Sequence, residues 1–78
     1  MISLGFYIRV LRATKELTQK QLAKLSGVSE STIVAIERDQ RKPNDITLIK
    51  LNNVLTNGDQ DILKKLFLYS NYKHNANK

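Results

Sequence analysis

The sequence contains no cysteine among its 78 residues. This absence excludes disulfide bonds, a cysteine nucleophile and any metal site that uses thiolate ligands. A chain without cysteine also suits a reducing compartment, so we expect a cytoplasmic protein.

Histidine is almost as scarce, because the only one, His74, lies in a polar stretch near the end of the sequence. The sequence places no acid, base or nucleophile beside it, so the residues that a catalytic site requires do not converge. We therefore expect no catalytic residue, no metal site and no cofactor, and we expect that the protein is not an enzyme.

Long apolar runs are also missing. The apolar start of the sequence, residues 2–11, is interrupted by Arg9 and has neither a basic leader nor a small-residue cleavage site. It matches neither a signal peptide nor a membrane span, so we expect no membrane association. Internal repeats and strand-like alternation of useful length are absent as well, which leaves helical periodicity as the main structural signal.

Positive charge is what the sequence has in excess. Thirteen lysine and arginine residues against seven acidic ones give a net charge of +6, a balance that favours a polyanionic partner. A solvated charged surface is the alternative interpretation. Many of the basic residues lie in or beside residues 17–36, namely Arg9, Arg12, Lys15, Lys20, Lys24, Arg38, Arg41 and Lys42.

Residues 17–36 have the pattern of two short helices joined at a glycine. Thr18 and Gln21 have the spacing of a capping box, and Gly27 supplies the positive φ that commonly ends a helix. Ser29 is a good N-cap for the second helix, in which Ile33 and Ile36 recur at helical spacing. The sequence therefore predicts a tight helical hairpin here.

Three further helices are predicted, one before this pair and two after it, in a single domain over residues 1–70 with a polar tail over residues 71–78. The first covers residues 4–15, Pro43 marks the loop that follows the pair, and Asn44 or Asp45 caps the fourth helix. Asp59 opens the fifth. The expected buried residues of these three helices are Phe6 or Tyr7, Ile8 and Leu11; Ile46, Ile49, Leu51, Val54 and Leu55; and Ile62, Leu63, Leu66, Phe67 and Tyr69.

The pattern over residues 8–55 resembles the Cro/C1-type helix-turn-helix family, also called the xenobiotic-response-element family, which includes phage repressors and restriction-modification controller proteins. The resemblance is carried by Ile8, Leu11, Arg12, Leu17, Thr18, Gln19, Leu22, Ala23, Gly27, Val28, Ser29, Ile33, Ile36, Glu37 and Pro43. It implies an all-α, compact five-helix fold like that of lambda repressor, which binds double-stranded operator DNA, usually as a two-fold homodimer. Glu16 and Asp39 stand at helix ends where the family often has glycine, and left-handed geometry there costs a little.

The resemblance implies that the start of the second helix of the pair reads the edges of DNA bases. The residues at the matching positions are Glu30, Ser31, Val34 and Ala35. A glutamate can accept from cytosine, a serine can pair with several bases, and a small apolar side chain can touch the thymine methyl group. Because this set has no arginine or glutamine for a bidentate contact, we expect modest direct readout, with DNA shape contributing the rest.

Other residues are implied to bind the DNA backbone or to hold the domain together. The candidate phosphate contacts are Gln19, Ser29, Thr32, Arg38, Gln40, Arg41 and Lys42, for which solvated loop charges are the alternative. Arg12 and Glu37 occupy positions that form an internal ion pair in the family. We expect that a Glu37→Ala change weakens DNA binding through lost stability.

The fifth helix is the expected place for self-association. Its apolar run, which includes Leu68, exceeds one helix face and must complete the core or meet a second chain. The residues expected at a dimer interface are Leu63, Leu66, Phe67 and Tyr69. The predicted function is a sequence-specific transcriptional regulator, a repressor or controller protein. The alternative is an antitoxin, which binds DNA and also a toxin protein.

Overall fold

The computed structural model describes the backbone of residues 2–76 and the side chains of residues 2–71. This part of the chain contains five α-helices and no strand, which confirms the predicted all-α fold. In chain order the helices are α1 (Leu4–Thr14), α2 (Gln19–Ser26), α3 (Glu30–Glu37), α4 (Asp45–Thr56) and α5 (Gln60–Ala76).

The ends of the helices follow from local hydrogen bonds that the sequence predicts. The Thr18 hydroxyl accepts from the Gln21 backbone N–H at 3.0 Å, and the Gln21 side chain accepts from the Thr18 N–H at 2.8 Å. Gly27 ends α2 with φ of 77°, and Ser29 caps α3. These bonds satisfy backbone groups that a helix end otherwise leaves without partners, so α2 and α3 begin and end where the hairpin needs them.

One apolar core holds all five helices together. Every helix contributes to it, and the buried residues are Leu4, Ile8, Leu22, Val28, Ile33, Ile36, Leu48, Leu51, Leu55 and Leu66. Since α2 contributes Leu22 and α3 contributes Ile33 and Ile36, the outer faces of this pair remain exposed while their inner faces are fixed.

The buried face of α4 differs from the predicted one. Ile46 and Ile49 are 64% and 41% exposed, whereas Leu48 and Asn52 are each 1% exposed. Leu48 and Asn52 share a face with Leu51, and burial of Asn52 is tolerated because its amide donates to the Asp59 carbonyl oxygen at 3.2 Å. The prediction for Ile46 and Ile49 was therefore wrong.

The structure decides between the two aromatic residues expected on α1 and differs from the prediction for α5. Tyr7 is half-buried whereas Phe6 is 45% exposed, so the aromatic residue that packs inward on α1 is Tyr7. The backbone of α5 continues past the expected start of the polar tail to Ala76, and residues 77–78 lie outside the described part. Leu66 is fully buried, so it completes the core. The prediction that Leu66 lies at a dimer interface was therefore wrong.

Candidate functional site

Four side chains on the outer side of α3 line a shallow open groove. They are the residues expected to read bases, Glu30, Ser31, Val34 and Ala35, and the fifth member of the lining is Gln40. Glu30 and Ser31 are exposed, whereas Val34 and Ala35 are half-buried. The fold therefore presents this set on one accessible surface, which we call the reading groove.

Gln40 reaches the reading groove from the turn after α3. Its backbone N–H donates to the Ala35 carbonyl oxygen at 2.8 Å, which holds the turn against the end of the helix. Sequence reasoning expected Gln40 at the DNA backbone, and its place beside Val34 and Ala35 was missed. The signal that could have found it is the positive φ expected at Asp39, because a left-handed residue after a helix turns the chain back.

The hydroxyl groups at the start of α3 form a chain with a guanidinium group. The Ser29 hydroxyl donates to the Thr32 hydroxyl at 2.7 Å and lies 3.3 Å from the Ser31 hydroxyl. Arg41 donates to the Thr32 hydroxyl at 3.2 Å. Three expected phosphate contacts, Ser29, Thr32 and Arg41, thus meet at one edge of the reading groove.

The other expected cations lie in the segment between α3 and α4. Arg38, Arg41 and Lys42 are all exposed, and Pro43, which follows them, is buried. A buried proline fixes the base of the segment because its ring locks φ. Positive charge is therefore concentrated on an exposed segment anchored next to the reading groove, as a polyanion requires.

Gln19 makes a contact that the sequence did not indicate. Its side-chain amide donates to a carboxylate oxygen of Glu37 at 3.0 Å, so the carboxamide is turned toward the interior. The first residue of α2 nevertheless carries a backbone N–H at the start of a helix, where anions are favoured. A phosphate at this point would meet the backbone of α2 rather than the bound carboxamide.

The carboxylate of Glu37 is also paired with Arg12. The Arg12 Nε donates to Oε2 at 2.7 Å and Nη2 donates to Oε1 at 2.9 Å, while Nη1 donates to the Leu17 carbonyl oxygen at 2.8 Å. The side chain of Glu37 is only 2% exposed. The hydrogen bond to Glu37 raises the pKa of the Arg12 guanidinium. This pair joins α1, the start of α2 and the end of α3.

A second attachment fixes α1 to the end of α3. The Gly5 N–H donates to the Asp39 carboxylate at 3.0 Å. A Cβ on Gly5 would lie 2.5 Å from the Ile36 carbonyl oxygen and 2.6 Å from that of Glu37, so the two helices approach closely only because this residue is glycine. The orientation of α3 is therefore set at both its core face and its C-terminal end.

The residues expected at a dimer interface are divided by the fold. Leu63, Phe67 and Tyr69 are half-buried against the core, and the Tyr69 ring lies edge-on to the Tyr7 ring with centroids 5.1 Å apart. Phe67 also lines a groove between the start of α4 and α5, together with the exposed Ile46. Sequence reasoning placed Ile46 in the core and so missed this groove.

Comparison with models of known protein families gives a match. A family model described as helix-turn-helix matches residues 8–56. Neither the curated proteins nor the solved structures give a match to the chain. No helix in the described part is both long and apolar enough to span a membrane.

Proposed function

This chain belongs to the Cro/C1-type helix-turn-helix family and is a DNA-binding regulator, and we propose that it is a repressor or controller protein that acts by occupying a two-fold operator as a homodimer. The observation that carries the proposal is the reading groove on α3, with its edge of hydroxyl groups and Arg41. In the major groove, such a surface brings side chains to base edges while its rim meets the phosphates.

Base discrimination in this proposal comes from short side chains and one amide. Ser31 pairs with several bases, Val34 and Ala35 offer methyl groups to thymine, and Glu30 accepts from the amino group of cytosine. Gln40 adds a carboxamide, which none of the four residues on α3 has. A glutamine amide can pair with adenine through two hydrogen bonds. We therefore propose Gln40 as a base-reading residue in addition to the four on α3.

Backbone anchoring comes from the rim of the groove. Arg38, Arg41 and Lys42 supply charge, and Ser29 and Thr32 supply hydroxyl groups at the start of α3. Each phosphate that a cation neutralises releases counterions, so it contributes about 0.9 to the slope of log K against log salt. Binding should consequently be strong at low salt and weaken steeply as salt is added.

A dimer suits the dimensions of the chain. Its extents are 34 × 25 × 21 Å, so two copies side by side can place their α3 helices one DNA turn, about 34 Å, apart. We propose that the groove beside Phe67 and the exposed Ile46 form the contact, because an apolar surface at this place is left open in the single chain.

The direct test is a titration of a labelled duplex at several salt concentrations, with fluorescence anisotropy as the readout. Arg41→Ala should weaken binding to all sequences alike and reduce the salt slope by about 0.9. The matched control is Lys50→Ala, which removes the same charge from an exposed position of α4. If Lys50→Ala reduces the slope as much as Arg41→Ala, the binding is a general effect of charge and the proposal fails.

A further inference from the structure

The outward side of α1 carries an apolar stripe that remains partly exposed in the described part of the chain. Ile2, Phe6 and Val10 follow each other at four-residue spacing and are 46%, 45% and 42% exposed. Phe6 and Val10 lie on one face of α1 because they are four residues apart, and Ile2 lies two residues before the helix begins. The opposite face of the helix holds Leu4 and Ile8 in the core.

A positive charge lies beside this stripe. Helix α1 contains no acidic residue, and the Arg9 guanidinium lies over the Phe6 ring, 5.8 Å from its centroid. Directly after the helix, Lys15 and Glu16 are both exposed and carry opposite charges. The outer face of α1 is therefore apolar along its centre and cationic at its edge.

From this combination we infer that the α1 stripe is a docking site for a short, acidic, amphipathic helix of a partner protein. The apolar side chains of such a helix would cover Ile2, Phe6 and Val10, and its carboxylates would meet Arg9. Amphipathic helices dock on apolar surfaces through residues spaced three and four apart, which matches the spacing of the stripe. The inference does not depend on how the protein reads DNA.

A second copy of the chain fits the stripe less well than an acidic partner. A two-fold contact places the same patch on both subunits, so a pair of α1 helices would bring two Arg9 side chains toward each other. Like charges brought together at an interface suppress association.

The small size of the stripe indicates the kind of complex. Three exposed apolar side chains match two or three turns of a partner helix, and contacts of this size bury less than about 1,200 Å², as transient signalling contacts do. The bound helix would be exchanged rapidly, which suits a regulatory partner.

The experiment selects binders from a displayed library of helical 16-residue peptides whose outward positions are randomised. The target is the full chain, and peptides that bind the Phe6→Gln/Val10→Gln variant are removed. We expect the survivors to combine aspartate or glutamate with apolar residues spaced three and four apart. When synthesised, the selected peptides should bind the Phe6→Gln variant and the Val10→Gln variant at least about fivefold more weakly than the parent. Losses of this size are usual when an anchor residue of an interface is replaced.

Matched control variants test whether the peptides bind any exposed apolar side chain or any positive charge instead of this site. Leu25→Gln removes a more exposed apolar side chain, 61%, from α2, and Lys24→Gln removes a positive charge from the same helix. Neither should change the affinity of the survivors, whereas Arg9→Gln should reduce it. Because the replaced stripe residues are about half exposed, we expect all variants to keep the melting temperature of the parent within a few degrees.

Three results would overturn the inference. One is a selection that yields no convergent peptides or yields basic ones. Another is that the selected peptides bind the Phe6→Gln and Val10→Gln variants as tightly as they bind the parent. The third is sedimentation showing that the parent self-associates and that Phe6→Gln abolishes this, which would assign the stripe to a second copy.

Discussion

At the scale of single residues, Glu37 joins α1, α2 and α3 through its hydrogen bonds. Its carboxylate accepts from Arg12 and from Gln19, and only 2% of its side chain is exposed. A buried carboxylate without partners is very unfavourable, so these donors are required once the charge is inside. Pairing with Glu37 raises the pKa of Arg12 in the folded protein above its value in the unfolded chain. The stability that this pairing contributes is therefore complete at pH values below the unfolded pKa, and it is lost as the pH rises through the folded pKa.

The two members of the ion pair should differ in their cost of removal. Arg12→Ala leaves the buried Glu37 charge with Gln19 alone, and we expect a loss of about 3–5 kcal/mol in the free energy of unfolding. Glu37→Ala leaves Arg12, whose side chain is 20% exposed and can be hydrated, so its loss should be smaller. Urea unfolding of both variants measures the difference, with Arg38→Ala as an exposed control. Equal losses, or none, would contradict this view of the pair.

Gly5 is the second residue with a large predicted effect. Gly5→Ala improves helix propensity by about 1 kcal/mol, but the added Cβ would meet two carbonyl oxygens of the end of α3. Separating the helices should cost about 1–3 kcal/mol, so we expect net destabilisation in chemical unfolding. The reverse change at an exposed position of the same helix, Ala13→Gly, reports propensity alone. A Gly5→Ala variant more stable than the parent would show that the contact is not tight.

At the scale of elements, the ends of the helices decide how the domain is assembled. Glu16 and Asp39 both adopt left-handed geometry, with φ of 57° and 58°, as expected from their positions in place of glycine. Their surroundings differ, because Asp39 accepts from the Gly5 N–H and so links α3 to α1, whereas Glu16 is exposed. The same backbone strain is therefore compensated at one position by a contact between helices.

Replacing each of these residues by glycine should separate strain from contact. Glu16→Gly relieves left-handed strain, and we expect a gain of about 0.5–1 kcal/mol in thermal unfolding. Asp39→Gly relieves the same strain but removes a hydrogen bond to the backbone of α1, so its stability should be unchanged or lower. The expectation fails if both variants are stabilised equally.

The sequence predicts some features of the helices and not others, for physical reasons. The caps at Thr18 and Ser29 were readable because capping is settled by residues three apart. The buried face of α4 was not, since Asn52 is accepted in the core through its hydrogen bonds to Asp59 and Thr56 while Ile46 remains exposed. Likewise, the place of Gln40 in the reading groove depends on a turn between helices, which spacing within one helix does not reveal.

At the scale of the whole molecule, the division of surfaces is the main consequence of the fold. Helix α3 presents the reading groove, the segment after it presents Arg38, Arg41 and Lys42, and α4 with α5 leaves the groove beside Ile46 open. Positive charge on one side suits DNA, and we propose that the partly apolar groove elsewhere pairs two chains. A regulator of this kind gains specificity from two half-sites rather than from one short helix.

Selection of binding sites from random duplex DNA at fixed salt shows whether the chain recognises a defined sequence. We expect enrichment of a two-fold sequence whose half-sites lie about one helical turn apart. Ser31→Ala should relax the preference at one position of each half-site, and Ile46→Gln should yield single half-sites because the proposed dimer contact is lost. If the parent chain enriches no sequence, the reading groove of α3 does not recognise specific DNA.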